Sequence, residues 1–181
     1  MPAPKFILLD RDGVINHDSD NYIKSAEEWL PIAQSIEAIA LLNSHGYKVI
    51  VITNQSGLAH GYFNTTTLQA MHDKMHARVK QKGGKIEAIY YCPHRPEDHC
   101  ACRKPKPGLL KQCSEDYNFQ LTETFFIGDK LSDIEAAQAV GATPLLVKTG
   151  KGQKTLTNNP NLTINFFNNL YDCAQFIISR Q

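Results

Sequence analysis

Two carboxylates, Asp10 and Asp12, directly follow the apolar run 6–9 and directly precede Gly13. Residues two apart in an extended chain point to the same side, so both carboxylates can face one crevice. Two close carboxylates repel each other unless a cation or a shared proton lies between them. The pair therefore indicates cation binding or proton sharing, although a strand that ends in a polar turn explains this stretch equally well when it is taken alone.

Two later apolar runs also end in polar clusters. Thr53 and Asn54 follow the second run, and Asp129 and Asp133 follow the fourth. The carboxyl ends of parallel strands meet at one edge of a sheet, where open α/β folds bind their ligands. We therefore expect these clusters to converge with Asp10 at a single site.

The elements that must position these residues are short apolar runs alternating with amphipathic segments. Strands are predicted at 6–9, 47–52, 86–91, 124–127, 144–147 and 162–167. Helices are predicted at about 31–45, 64–82, 107–117, 131–140 and 170–179, and residues 150–160 are predicted to form a loop. This alternation predicts right-handed βαβ crossovers and an α/β fold with a doubly wound, mostly parallel sheet.

Length and composition limit the possible function classes. The 181 residues fit one domain, 1–181, and residues 16–30 are too few for a large cap domain. A net charge of +1 gives no electrostatic case for nucleic-acid or membrane partners. The first apolar run is too short for a signal peptide or a membrane span. We expect a cytoplasmic monomer that acts on a small molecule.

A second group of chemically distinctive residues is the loop 92–102. Its Cys92, His94, Cys100 and Cys102 form a Cys-x-His and Cys-x-Cys pattern, which predicts tetrahedral Zn²⁺ at a closed, structural site. His99 could replace His94, but the symmetry of the two pairs favours His94. The odd total of five cysteines argues against a disulfide framework, and a group of unrelated thiols is the alternative to zinc.

Taken together, the motifs resemble those of the haloacid dehalogenase-like (HAD) phosphohydrolases. They are DRDG at 10–13, Thr53 at a strand end, a basic residue ahead of the fourth strand, and GDKLSD at 128–133. The resemblance covers most of the chain. It implies hydrolysis of a phosphate monoester through a covalent enzyme intermediate.

The resemblance also implies roles for the acidic and hydroxyl residues. Asp10 is expected to attack phosphorus and form an aspartyl-phosphate. Asp12 is expected to protonate the leaving oxygen and then to deprotonate water. Mg²⁺ is expected to bind Asp10, the backbone carbonyl of Asp12 and Asp129. The Thr53 hydroxyl is expected to hold the phosphoryl oxygens.

The basic residues near the predicted site complete the set. Lys104 best matches the catalytic lysine of the superfamily, with Arg103 as a substrate clamp, while Lys106 could compete for either role. The resemblance implies that Asp133 orients either a metal-bound water or Lys130. A rigid zinc loop directly ahead of Arg103 could hold the cations against phosphate.

A narrower resemblance comes from the zinc loop, CRKPKPG at 102–108 and TNQSG at 53–57. These features are similar to those of the heptose 1,7-bisphosphate 7-phosphatases of bacterial lipopolysaccharide-precursor synthesis. Histidinol-phosphate phosphatases share the zinc loop and are the alternative. The stretch TNQSGLAHGYF at 53–63 and the separate 181-residue chain favour the heptose family. Without a cap, loops must bind the substrate, and the expected contacts are Asp18, Asn21, Tyr22, Thr53, Asn54, Gln55, Ser56, Arg103, Lys104 and Lys130.

His72 and His76 lie four residues apart on a predicted helix and could share a metal ion. No third ligand is evident in the sequence around them. We therefore interpret the pair as part of a solvated helix face.

Overall fold

Six parallel strands form one sheet in the computed structural model, which describes residues 5–180. The strands are β1 Lys5–Leu9, β2 Tyr47–Asn54, β3 Ile86–Cys92, β4 Phe125–Gly128, β5 Thr143–Val147 and β6 Asn165–Phe167. Their order is β3-β2-β1-β4-β5-β6, and every neighbouring pair is parallel. The prediction of a doubly wound α/β sheet is confirmed.

Helices cover both faces of the sheet. They are α1 Ser35–Ser44, α2 Thr65–Gln81, α3 Gly108–Tyr117, α4 Leu131–Gln138, α5 Gly152–Asn158 and α6 Leu170–Ile178. Alternate residues of β1 point into opposite layers: Ile7 and Leu9 join the core with α1, α2 and α6, whereas Phe6 and Leu8 join the core with α3 and α4. Burial on both faces explains why this strand is an unbroken apolar run.

The prediction of a loop at 150–160 is wrong, and one helix begins later than predicted. Helix α5 lies inside the predicted loop 150–160. Only Gly152 and Thr155 of this helix are buried, so it has no apolar periodicity that the sequence could show. Helix α1 begins at Ser35 rather than near Pro31, because Pro31 lies in a bridge to Asn16.

The direction of strand order changes at β1, which lies between β2 and β4. Leu9 is level with Val51 of β2 and with Ile127 of β4. The Asp10 N–H donates to the Ile127 carbonyl over 2.9 Å, so β1 stays paired up to its acidic motif. The loops after these three strands therefore leave the same edge at a topological switch point.

The segment between β1 and α1 contains turns and two isolated bridges rather than helices or strands, so the fold has no large cap domain. Between residues 5 and 180, no helix combines the length and the apolar character that a membrane span requires.

Candidate active site

A cavity of about 510 Å³ opens at the carboxyl ends of the central strands. The predicted site residues that line it are Asp10, Asp12, Asp18, Tyr22, Thr53, Asn54, Gln55, Ser56, Arg103, Lys104 and Lys130. Asn21 lines a neighbouring surface cavity instead, and Asp129 is fully buried beside the site. The fold therefore brings together residues that are more than one hundred positions apart in the chain.

Lys104 forms the buried centre of the site. Its Nζ donates to Asp10 Oδ1 over 2.9 Å and to the Ile52 carbonyl over 2.8 Å, and it lies 2.7 Å from Asp133 Oδ1. Burial acts to lower the pKa of Lys104, but the carboxylates of Asp10 and Asp133 raise it above its ordinary value. The side chain is therefore a fixed cation between two acids.

Three carboxylates share the space around this lysine. Asp10, Asp129 and Asp133 each offer an oxygen, and these oxygens lie within 4.8 Å of one another. Burial raises the pKa of Asp129 to about 8, and Asp10 and Asp133 add to the increase. Buried acids this close need further positive charge to remain ionised. An all-oxygen donor set of this kind fits Mg²⁺.

Lys130 supplies a second cation at the cavity wall. Its Nζ lies 3.4 Å from Asp18 Oδ2, 3.4 Å from Asp129 Oδ1 and 4.0 Å from Asp10 Oδ2. Burial acts to lower the pKa of Lys130, but the surrounding carboxylates raise it. The backbone N–H groups of residues 129 and 130 both donate to Asp133 Oδ2, so Asp133 holds the loop that carries Lys130.

Asp12 is held by three side chains, two from its own loop and one from the loop after β2. Its carboxylate accepts from Arg11, from Asn16 Nδ2 over 2.8 Å and from Gln55 Nε2 over 3.0 Å. Burial alone would raise the pKa of Asp12, but the Arg11 charge and these hydrogen bonds lower it. The Gln55 amide also donates to Thr53 Oγ1 over 2.9 Å, which connects the two predicted catalytic groups.

The zinc loop contains a compact cluster of free thiols and one imidazole. Contacts between Cys92 Sγ, His94 Nδ1, Cys100 Sγ and Cys102 Sγ range from 3.1 to 3.6 Å. Four soft donors facing one another at such distances fit a tetrahedral Zn²⁺ site. The histidine in this cluster is His94, whereas His99 is exposed.

Comparisons with known proteins agree with this geometry. Residues 101–173 match the family model described as HAD-hydrolase-like. The chain is 51% identical to the D-glycero-beta-D-manno-heptose-1,7-bisphosphate 7-phosphatase of Pseudomonas putida, over 96% of this chain and 99% of the relative. It is 48% identical to the enzyme of the same name from Neisseria meningitidis serogroup B, over 96% and 95% of the two chains. The chain belongs to the heptose-1,7-bisphosphate 7-phosphatase family.

A solved structure from the heptose-1,7-bisphosphate 7-phosphatase family has the same fold throughout. The D,D-heptose 1,7-bisphosphate phosphatase of Bordetella bronchiseptica, crystallised with magnesium and phosphate, superposes with a TM-score of 0.95. The two proteins share 44% sequence identity, and the match covers 98% of this chain and 99% of the other. The predicted cofactors, Mg²⁺ and Zn²⁺, fit the two ligand clusters found here.

In this member of the heptose phosphatase family, the zinc loop is tied directly to the cavity. Asn54 and Lys104 exchange a pair of hydrogen bonds, each of 3.1 Å, between the Asn54 side chain and the Lys104 backbone. Arg103 Nη1 donates to the His94 carbonyl over 3.3 Å. Lys106 is exposed and donates to the His99 carbonyl, so its side chain lies outside the cavity. Of the two lysines, Lys104 lines the cavity, and this geometry favours it over Lys106.

The sequence prediction missed Lys151 and Arg11, which contribute to the heptose phosphatase site. Lys151 lines the cavity, contacts Asp20 through its Nζ, and donates its backbone N–H to Asp129 Oδ2 over 2.7 Å. The signal for it was Gly150, with a φ of 57°, which follows the fifth strand at the same sheet edge. Arg11 lies between the two acids and is fully buried.

The interpretation of His72 as part of a solvated face is wrong. His72 is only 4% exposed, and its Nε2 lies 3.2 Å from Arg11 Nη1. His76, one turn further along α2, is exposed as predicted. A signal was present in the helical spacing, because His72 lies on the same face of α2 as the buried residues Leu68, Met71 and Met75.

We expect one tightly bound zinc per chain in the purified protein. Cys102→Ser should lose most of this zinc and also lose activity, because the loop that positions Arg103 and Lys104 would be loosened. Metal analysis by mass spectrometry with an activity assay provides the measurement. Cys113→Ser is the matched control, since Cys113 is buried in α3 away from the cluster. A wild-type protein that contains no zinc would contradict the loop assignment.

Proposed function

We propose that this chain removes the 7-phosphate of D-glycero-β-D-manno-heptose 1,7-bisphosphate in heptose-precursor synthesis. The observation that carries the proposal is the buried pair Asp10–Lys104, with Asp129 and the zinc loop, in a chain 51% identical to an enzyme of that name. Relatives at 48–55% identity act, by name, on the β anomer. At 36–38% identity, two relatives are named for the β anomer and one for the α anomer. This difference supports the choice of anomer.

Asp10 is the nucleophile. Its Oδ1 accepts from Lys104 Nζ over 2.9 Å and from the Arg11 backbone N–H over 2.8 Å, so the carboxylate is fixed before substrate binds. A carboxylate oxygen of Asp10 attacks phosphorus, and the bond from phosphorus to the sugar oxygen breaks. This step leaves an aspartyl-phosphate on the enzyme.

Asp12 moves the proton in both halves of the reaction. In the first half it donates a proton to the leaving sugar oxygen. Against burial, Arg11 and the other hydrogen-bond donors lower the pKa of Asp12, so its acid form is reached when the anionic phosphate of the substrate lies beside it and raises that pKa. In the second half it takes a proton from water, which attacks the phosphorus of the intermediate and releases inorganic phosphate. Asp10 is thereby restored as a carboxylate, and Asp12 regains its proton.

Oxygen ligands from the acidic cluster would hold Mg²⁺. The residues that fit this role are Asp10 and Asp129, with the backbone carbonyl of Asp12, while Asp133 orients the loop beside them. When bound, Mg²⁺ supplies positive charge that neutralises the phosphoryl oxygens.

The remaining cations bind the phosphates of the substrate. Lys104 and Thr53 line the cavity beside Asp10 and would hold the transferring phosphoryl group. Arg103 also lines the cavity, and Lys130 Nζ lies 4.0 Å from Asp10 Oδ2; these two cations would bind the second phosphate or the sugar oxygens. More cations line the cavity than one phosphate needs, which supports a bisphosphate substrate.

Polar side chains in two loops complete the substrate site. Those that line the cavity are Asp18, Tyr22, Asn54, Gln55 and Ser56, and of these Asp18, Tyr22, Gln55 and Ser56 would bind the sugar hydroxyl groups. The Asn54 amide already forms two hydrogen bonds with the Lys104 backbone, so Asn54 acts by positioning that lysine. Asn21 faces the neighbouring cavity and would contact substrate only if the loop around it moves.

The place and assembly state of the enzyme are part of the proposal. Free thiols, including buried Cys113 and Cys173, support a reducing compartment such as the cytoplasm. We propose a monomer, because the cavity is built from one chain's own residues. Light scattering of the purified protein tests this assembly state.

We expect a kcat/KM for β-heptose 1,7-bisphosphate that exceeds the value for histidinol phosphate by at least about tenfold, because a site with spare cations rejects a substrate with one phosphate. Side-by-side phosphate-release assays measure this ratio. The α anomer of the heptose bisphosphate is the matched control for the choice of anomer. The sugar product should keep its 1-phosphate. A preference for histidinol phosphate would overturn the proposed substrate.

A further inference from the structure

Arg11 is a fully buried cation whose side chain donates two hydrogen bonds to the Asp12 carboxylate. Its Nε lies 2.9 Å from Asp12 Oδ1, and its Nη2 lies 3.1 Å from Asp12 Oδ2. Two parallel hydrogen bonds of this kind fix the plane of a carboxylate as well as its position. Asn16 and Gln55 add one bond each, so Arg11 supplies two of the four side-chain hydrogen bonds that Asp12 accepts.

Helix α2 holds the opposite end of the same guanidinium. Arg11 Nη1 lies 3.2 Å from His72 Nε2 and 3.9 Å from Met71 Sδ. Arginine can only donate hydrogen bonds, so His72 Nε2 must accept, and its ring must be neutral with the proton on Nδ1. Burial and the Arg11 charge together lower the pKa of His72 to about 3, which agrees with a neutral ring.

We propose that Arg11 and His72 are positioning residues for Asp12: His72 fixes the guanidinium, and the guanidinium aims the carboxylate that transfers the proton. The inference rests on the acid–base role of Asp12 in the proposed function. Proton transfer needs the acid within hydrogen-bond reach of the leaving oxygen. A small displacement of the carboxylate therefore slows this step without changing substrate binding.

The dependence on leaving group separates positioning from general structural damage. A sugar alkoxide is a poor leaving group and needs a proton from Asp12, whereas p-nitrophenolate leaves readily without one. The kcat/KM value includes only the steps up to phosphorylation of Asp10, so the later action of Asp12 on water does not enter it. The ratio of kcat/KM for the two substrates is also independent of how much of a variant is folded.

The test measures kcat/KM of the metal-loaded full chain with heptose 1,7-bisphosphate and with p-nitrophenyl phosphate. For His72→Leu we expect the sugar-to-aryl ratio to fall by roughly tenfold or more, mainly through kcat. His72→Gln retains an acceptor for Arg11 and should restore the ratio to within about threefold of wild type. His76→Leu is the matched control on the exposed side of α2 and should leave the ratio unchanged.

A second variant tests the guanidinium itself. Arg11→Lys keeps the positive charge but loses the two parallel hydrogen bonds to Asp12. The sugar-to-aryl ratio of kcat/KM should therefore fall as in His72→Leu. An unchanged ratio in both variants, or an equal loss on both substrates, would overturn the proposal. If the wild type fails to hydrolyse the heptose bisphosphate, the proposed substrate is wrong. The ratio can then be measured with the alkyl phosphate that the enzyme does hydrolyse, so the two failures are distinguishable.

Discussion

Asp10→Asn is expected to lower kcat by roughly 10⁴-fold or more, which is the scale seen when a catalytic nucleophile is removed. The amide has nearly the same shape as the carboxylate but is far less nucleophilic, so substrate can bind without reacting. Lys104 would retain its contact with Asp133, 2.7 Å away, and would stay in place. Steady-state phosphate release and acid-quenched phosphoenzyme are the two measurements.

The variant should lose activity without losing its fold. Burial and the Asp133 charge raise the pKa of Asp10, so replacing Asp10 with a neutral amide removes a charge that burial disfavours. We expect a Tm at or above that of the wild type in the absence of metal. Asp73→Asn, at an exposed position on α2, is the control for the substitution type. Full activity in Asp10→Asn, with deamidation excluded by peptide mass, would contradict the nucleophile assignment.

The central strand and its acidic motif could be predicted because both depend on local sequence. Burial on both faces makes β1 an apolar run, and the polar ends of β2 and β4 mark the same sheet edge. Their convergence follows from parallel pairing alone. The zinc loop was equally visible, because Cys92, His94, Cys100 and Cys102 are close in the chain as well as in space.

The residues that sequence reasoning missed depend on distant partners. In the sequence, Arg11 is only an intervening residue between two acids, and its contact with His72, 61 positions away, depends on the fold. Lys151 lies in a segment whose short helix buries few apolar side chains. Neither case has a local period or a spacing that could have indicated the role. The reactive groups of the site could therefore be predicted from local sequence, whereas the residues that support them depend on long-range packing.

Lys104→Met should produce the second large effect, on activity and on stability together. Lys104 is 3% exposed and lies within 3 Å of both Asp10 and Asp133. Without it, two buried carboxylates lose their shared cation, and breaking a buried ion pair from one side costs about 3–5 kcal/mol. The loss of a cation next to the transferring phosphoryl group should lower kcat by roughly 10²–10³-fold.

Magnesium titration tests whether the lost positive charge causes the loss of stability in Lys104→Met. A divalent cation among Asp10, Asp129 and Asp133 can replace part of the missing positive charge, so Mg²⁺ should raise the Tm of the variant more than that of the wild type. Lys106→Met is the matched control: this lysine is two positions away, exposed, and directed at the His99 carbonyl. It should retain wild-type Tm and kcat. If Lys106→Met were the damaging change and Lys104→Met the silent one, the assignment of the catalytic lysine would have to be reversed.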